Sequence, residues 1–183
     1  SRVVNDTILP SIIDLTDGVP GTGEEFTFSC LVTDNINVTN VYINYQFENA
    51  GDASAWHNIS MTENVSDNFI LDVMVNANAS VLRYFIISND SFGNWNSTPN
   101  VELAVNDTIP PEMIDITSGV PSTGQNFTLL LDITDNIEVD YARLYLYYAQ
   151  SNGSSTPQNI PLAEKDGNTY SLNVTVPGNA ITI

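Results

Sequence analysis

Apolar and polar residues alternate with period two in short runs along the chain, and no stretch carries a sustained 3.6-residue period. Phe26, Phe28, Cys30 and Val32 fall on one face of such a run, with Thr27, Ser29 and Thr33 on the other. Val41, Ile43, Tyr45 and Phe47 oppose Tyr42, Asn44 and Gln46. Phe69, Leu71, Val73 and Val75 form a third face, and Leu82, Tyr84 and Ile86 a fourth. With Ile12–Thr16 at the front, Ala55–Thr62 in the middle and Val101, Leu103 and Val105 at the close, the pattern predicts seven short strands. They are separated by turns rich in Gly, Pro, Asn and Asp. That spacing predicts an antiparallel sandwich of two sheets, each with one apolar face.

The pattern then starts again. Val4–Val38 and Val105–Val139 align without gaps at an offset of 105 − 4 = 101, with 21 identities in 35 positions. A repeat of this length is a whole domain rather than a solenoid unit. The chain of 183 residues therefore reads as one module over residues 1–104 and a second over 105–183. In the second, Phe127, Leu129, Leu131 and Ile133 form the matching inner face. Ala142, Leu144, Leu146 and Tyr148 follow, then the loop 151–158, then Tyr170, Leu172, Val174 and Val176. Ile183 aligns with Leu82, so the second copy is expected to lack its last strands. Either the chain is a fragment of a longer one, or another chain supplies those strands. Pro110-Pro111 at the junction removes backbone donors and stiffens the link, which favours a rod over independently tumbling beads.

Charge narrows the possible partners. Four Lys and Arg stand against 22 Asp and Glu, for a net charge of −18. A nucleic-acid backbone is excluded, because binding it requires cations to displace counterions. The acidity suits a cation such as Ca²⁺, and it also suits a high-salt medium. Cys30 is the one cysteine; it alternates with core residues and reads as a small buried hydrophobe. No apolar run is long enough for a membrane span, and any leader or anchor is expected outside this stretch. Asparagine carries the compartment signal. Asn-x-Ser/Thr sequons begin at Asn5, Asn37, Asn58, Asn64, Asn78, Asn89, Asn96, Asn106, Asn126, Asn152 and Asn173. That density predicts an exported surface protein carrying N-glycans.

The repeated motifs Asn-Asp-Thr-Ile-x-Pro, Gly-Val-Pro-x-Thr-Gly and Thr-Asp-Asn-Ile, with Tyr84 and the run from Ser88 to Asn94, resemble Ig-like and fibronectin type III-like modules arrayed on archaeal and bacterial surface proteins. The resemblance implies tandem seven-stranded Ig-like β-sandwiches, with Tyr84 as the tyrosine of the penultimate strand. It also implies a use in adhesins, surface layers, sheaths, filaments or spacers of exoenzymes. No Cys…Trp…Cys spacing of antibody domains is present.

In such a sandwich the loops after the second and sixth strands lie near the incoming linker. In the first copy these three places hold Asp6, Asp34 with Asn35, and Asp90. The second copy repeats Asp107 and Asp135 with Asn136. Hard oxygen donors converging from three segments suit Ca²⁺, and interdomain calcium in similar modules supports the reading. The same residues also make Asx turns at strand ends. Tyr141, Tyr145, Tyr147 and Tyr148 offer an aromatic platform for sugar rings or for a neighbouring chain. His57 is the one histidine, and no catalytic constellation, zinc spacing or phosphate loop accompanies it. The expected role is non-catalytic: a structural module of an extracellular surface layer, sheath, filament or stalk, associating with like chains or other surface proteins. A ligand-binding adhesin, or spacer domains of a large secreted hydrolase, are the alternatives.

Overall fold

A computed structural model describes residues 4–49, 51–150 and 152–183, and among these there is no helix. The chain divides into two compact units, Ser1–Ile109 and Pro110–Ile183. In the first, one sheet holds β1 (Ser11–Asp14), β2 (Glu25–Thr33), β7 (Asn68–Met74) and β6 (Thr62–Val65), in the order β1-β2-β7-β6. The other follows β10 (Val101–Ala104), β8 (Val81–Asp90), β3 (Val38–Asn49) and β4 (Asp52–Ala53), with β5 (His57–Ser60) beside β3 and β9 (Trp95–Ser97) beside β8. The strands pair antiparallel, and β2 pairs β7 while β3 pairs β8, so each sheet joins segments far apart in sequence. This is the strand order of an Ig-like sandwich.

The alternating residues close the interior as the sequence pattern requires. Phe28, Cys30, Val32, Ile43, Leu82 and Ile86 are fully buried, and Phe26, Val41, Tyr45, Phe47, Val73 and Tyr84 complete the core. Phe28 sits at its centre, with ring centroids 5.0 Å from Tyr84, 5.4 Å from Phe26 and 5.7 Å from Tyr45. The Tyr84 hydroxyl donates to Asp14 Oδ2 at 2.9 Å, tying β8 to the opposite sheet. Burial and then the charge of Asp14 push the Cys30 thiol up to about 12, so it stays protonated and inert as an apolar filler.

The first unit carries three strands beyond the predicted seven. β6 exposes all four of its residues, so it shows no alternation. β4 and β9 are two and three residues long. The predicted middle strand over 55–62 is resolved into β5 and the start of β6, separated by buried Met61.

The unit ends at Ile109 rather than at the repeat boundary after Ala104, because residues 106–109 are fastened to the loop between β1 and β2. Asn106 N–H donates to Pro20 O and Thr22 N–H to Asn106 O, both at 2.9 Å, in a parallel bridge beside Gly21. Thr22 Oγ1 donates to Asp107 Oδ1 and accepts from Thr108 N–H, and Thr108 Oγ1 donates to Thr22 O. Gly23 has φ +68°, and a Cβ there would stand 3.2 Å from Ile109 Cδ1. The left-handed backbone, shared by Gly124 at φ +73°, accounts for the last glycine of the repeated Gly-Val-Pro-x-Thr-Gly motif, and the close approach is an added constraint in the first copy.

In the second unit β11 (Glu112–Asp115), β12 (Asn126–Thr134), β18 (Thr169–Thr175) and β17 (Ala163–Asp166) repeat the first sheet in the order β11-β12-β18-β17. The facing strands are β13 (Arg143–Leu146) with β16 (Gln158–Pro161), and β15 (Gly153–Ser154), β14 (Ala149–Gln150) and β19 (Ala180–Thr182) in that order. The expected loop over 151–158 thus contains β15; its residue 151 lies outside the described residues. At the 101-residue offset β19 corresponds to residues 79–81, so only its last residue coincides with the start of β8. Ile133, Leu146, Tyr170, Val174 and Val176 are buried, whereas Phe127, Leu129 and Leu131 are half-buried.

Replacing Phe28 with Ala is expected to cost the first unit about 3–5 kcal/mol by opening a cavity at the aromatic centre. Tyr84→Phe, which keeps the ring and removes only the bond to Asp14, is expected to cost about 1.5–3 kcal/mol. Urea unfolding of the two variants checks both the size and the order of these losses.

Candidate metal centre

The register of the two sheets brings three distant segments to one end of the first unit. Ser11 pairs with Thr33, so the chain entering β1 runs beside the loop that follows β2. Val38 pairs with Asp90, so the end of β8 stands beside that same loop. Asp6, Asp34 and Asp90 converge there, with a carboxylate oxygen from each lying within 4.8 Å of the others. Asp6 is 9% exposed and Asp90 1%; Asp34 is half-buried.

Each carboxylate first closes its own turn, as short polar side chains do at strand ends. Asp6 Oδ1 accepts from Ile8 N–H at 3.0 Å. Asp34 Oδ2 accepts from the N–H groups of Ile36 and Asn37 at 2.9 and 3.2 Å. Asp90 Oδ1 accepts from Phe92 and Asn94 N–H at 2.9 and 2.8 Å, and Oδ2 from Asn94 Nδ2 at 2.6 Å. Burial opposes the charge on Asp90, but the bonds from the Asn94 side chain and from the backbone of Asn94, Phe92 and Gly93 outweigh it and hold the carboxyl below its ordinary range. Asp6 Oδ2 and Asp34 Oδ1 are shielded from solvent and accept no hydrogen bond.

Asn94 braces the group, since its Nδ2 also donates to Asp6 O at 3.2 Å, and Asn96 Nδ2 donates to Pro10 O at 2.7 Å. The sequence marked Asn96 as a sequon and Asn94 as part of the run from Ser88, but gave neither residue this bracing role. The available signal was the spacing of an acid and an amide four apart in a glycine-containing loop. Asn35 is exposed and lines an open pocket of about 330 Å³ with Asp6, Ile8, Ile36 and Phe92. Of the remaining expected ligands, one belongs to the first unit and two to the second. Asp107 belongs to the first unit, where its Oδ1 accepts from Thr22 Oγ1 and Ile109 N–H. Asp135 lies in the second unit, where its Oδ1 closes the turn to Ile137 and Glu138, and Asn136 is half-buried beside it in sequence. All the donors of the converging group are oxygens, a set suited to a hard divalent cation rather than to zinc or copper.

The other chemistry-bearing side chains are committed elsewhere. His57 stacks on Tyr45 with centroids 5.0 Å apart. Arg83 is bonded by Glu48 and Glu102. Tyr141 and Tyr145 are exposed along a groove of the second unit that Arg143 and Asn159 also line, with Tyr147 exposed farther along the chain. Tyr148 turns to the half-buried side. Among the sequons, Asn89 is 8% exposed, with its Nδ2 donating to Asp90 O and its Oδ1 accepting from Asn40. Asn96 is half-buried and the other nine sequon asparagines are exposed.

No family model matches the chain, and no curated protein matches it. Among solved structures it is similar to the titin domains Z1Z2 in complex with telethonin, at 16% identity over 93% of this chain and 83% of that one, with a TM-score of 0.39. It is also similar to the fibronectin(III)-like modules of Clostridium thermocellum CbhA, at 9% identity over 91% and 79%, with a TM-score of 0.38. Likenesses this distant carry nothing about activity, ligand or partner, and the Ig-like assignment rests on the strand order itself.

Asn94→Ala removes the donor that joins Asp90 to the Asp6 segment. It is expected to lower stability by about 1–3 kcal/mol while leaving the sandwich intact. Urea titration followed by far-ultraviolet circular dichroism measures both effects.

Proposed function

We propose that this chain is a non-catalytic structural part of an extracellular, N-glycosylated surface assembly: a layer, sheath, filament or stalk built from tandem sandwiches. The observation that carries the reading is the repetition of the same four-stranded sheet order twice in one chain at a 101-residue spacing. Modules strung in this way set distances and bear load. The exposure of nine of the eleven sequon asparagines supports glycan attachment on the folded surface. The side chains best suited to chemistry are spent on structure, with Cys30 sealed in the core and His57 held against a tyrosine ring. Self-association is favoured at the sheet edges, where β6 presents four exposed residues and an unpaired flank to a neighbouring strand.

A ligand-binding adhesin is the second reading. The exposed Tyr141 and Tyr145, set beside Arg143 and Asn159, favour it, because aromatic faces with nearby amides and charges suit sugar rings.

Electron microscopy of the native full-length protein separates the two. Ordered polymers or lattices are expected; dispersed particles that bind glycans saturably would move the assignment to the adhesin. Glycopeptide mapping of the same material is expected to find glycan on exposed sequons such as Asn58 and Asn78. Asn89 is expected to be unmodified, because a glycan there would displace its buried amide. A surface free of N-glycan would remove the extracellular assignment.

A further inference from the structure

We propose that Asp6, Asp34 and Asp90 form a Ca²⁺ site that fastens the incoming segment of the first unit to the two loops at its end. Converging acids alone would not establish this, since exposed acidic groups commonly stand together without an ion. The deciding feature is the pair of oxygens left over. Asp6 is nine-tenths buried, yet its Oδ2 is cut off from solvent and receives no donor, and Asp34 Oδ1 is in the same condition. A shielded carboxylate oxygen without a partner is costly, and two of them in one cluster of three negative charges compound the cost. The Asx turns are what leave them over. In Asp6 and Asp34 the backbone N–H groups take one oxygen each and leave the other. Among the described residues of this unit no basic side chain is free to neutralise the group. Among the described residues of the first unit the only Lys or Arg is Arg83, which is bonded by Glu48 and Glu102.

A divalent cation resolves each of these costs together. Ca²⁺ takes six to eight oxygens at about 2.3–2.6 Å, so oxygens spread over 4.8 Å fall within one shell with little movement. It accepts carboxylate, amide and backbone carbonyl oxygens in mixed geometry, and Asn35 lines the same pocket as Asp6. Mg²⁺ demands near-ideal octahedral geometry at shorter distances, which three independent loops do not supply. Occupation would lock the Asp6 segment, which Asn94 already ties to the Asp90 loop, onto both loops. The inference stands apart from the structural role proposed above: a surface module with no metal here would remain a surface module.

The test uses the whole 183-residue chain. Calorimetric melts are compared in chelator, in excess Ca²⁺ and in excess Mg²⁺, with Ca²⁺ binding measured by titration calorimetry. Wild type is expected to gain about 5–10 °C in Tm with Ca²⁺, and much less with Mg²⁺. Asp34→Asn is expected to lose that gain and, in chelator, to melt at or above the wild type, because it removes a repelling charge without a cation to lose. Asp72→Asn, which alters an exposed acid on β7, is expected to keep the gain. No Ca²⁺-dependent rise in wild type would overturn the site. So would an equal rise in Asp34→Asn, or loss of the rise in Asp72→Asn, since either would assign the effect to overall charge. An equal rise with Mg²⁺ would overturn the choice of metal. Should Asp34→Asn fail to fold, the wild-type melts and the binding stoichiometry still decide.

Discussion

The packing of β2 against β3 and β8 through Phe28 is the constraint on which the rest of the first unit depends. The ring fills the space between the sheets at the level of Tyr45 and Tyr84, and those two residues are cross-strand partners in the facing sheet. Because side chains alternate along a strand, fixing Phe28 inward fixes Phe26, Cys30 and Val32 inward as well. A slip of one residue would turn this whole face to solvent and bring Thr27 and Ser29 inside. Register is therefore set by the interior, and the loops inherit their positions from it. That is why residues as distant as Asp6 and Asp90 arrive at one end of the sandwich without any covalent link.

A rigid sandwich also explains how an electrostatically unfavourable cluster survives. Three carboxylates would separate if their segments were free. Here Asp90 is anchored by the end of β8, Asp34 by the end of β2, and Asp6 by the pairing of β1 with β2 a few residues on. Asn94 adds the direct tie between the Asp90 loop and the Asp6 segment. Stability from the core is thus spent at the rim on holding oxygens in place, which is the usual relation between a scaffold and the loops it positions.

Much of this was legible in the alternation. β2, β3, β7 and β8 could be read because each has one buried and one wetter face, and a period-two signal requires that contrast. β6 lacks it, since all four of its residues face solvent, and β4 and β9 are too short for a period to register. The convergence of Asp6, Asp34 and Asp90 was legible only through the sandwich reading, which said where the loops lie. The bracing by Asn94 and the burial of Asn89 were not legible, because a sequence shows that an amide is present but not which carbonyl or carboxylate it meets. The unit boundary is a related case. Repeat phase marks where the pattern restarts, at Val105, whereas contacts mark where one unit's hydrogen bonds stop, at Ile109.

The two copies of Val-Asn-Asp-Thr-Ile make the same point from the other side. At 105–109 the segment is clasped by the Pro20–Gly23 loop, with the threonines at 22 and 108 exchanging hydrogen bonds and Ile109 lying on Gly23. At 4–8 the same residues enter β1, and Asp6 turns into the acidic cluster. The local conformation is shared: Asp107 Oδ1 meets Ile109 N–H as Asp6 Oδ1 meets Ile8 N–H. What differs is the surrounding surface, a threonine hydroxyl in one place and two carboxylates in the other. The motif is therefore selected as a shape, a tight Asx turn that stops one strand and aims the chain at the next. That shape explains its repetition at module spacing more directly than any single bond it makes.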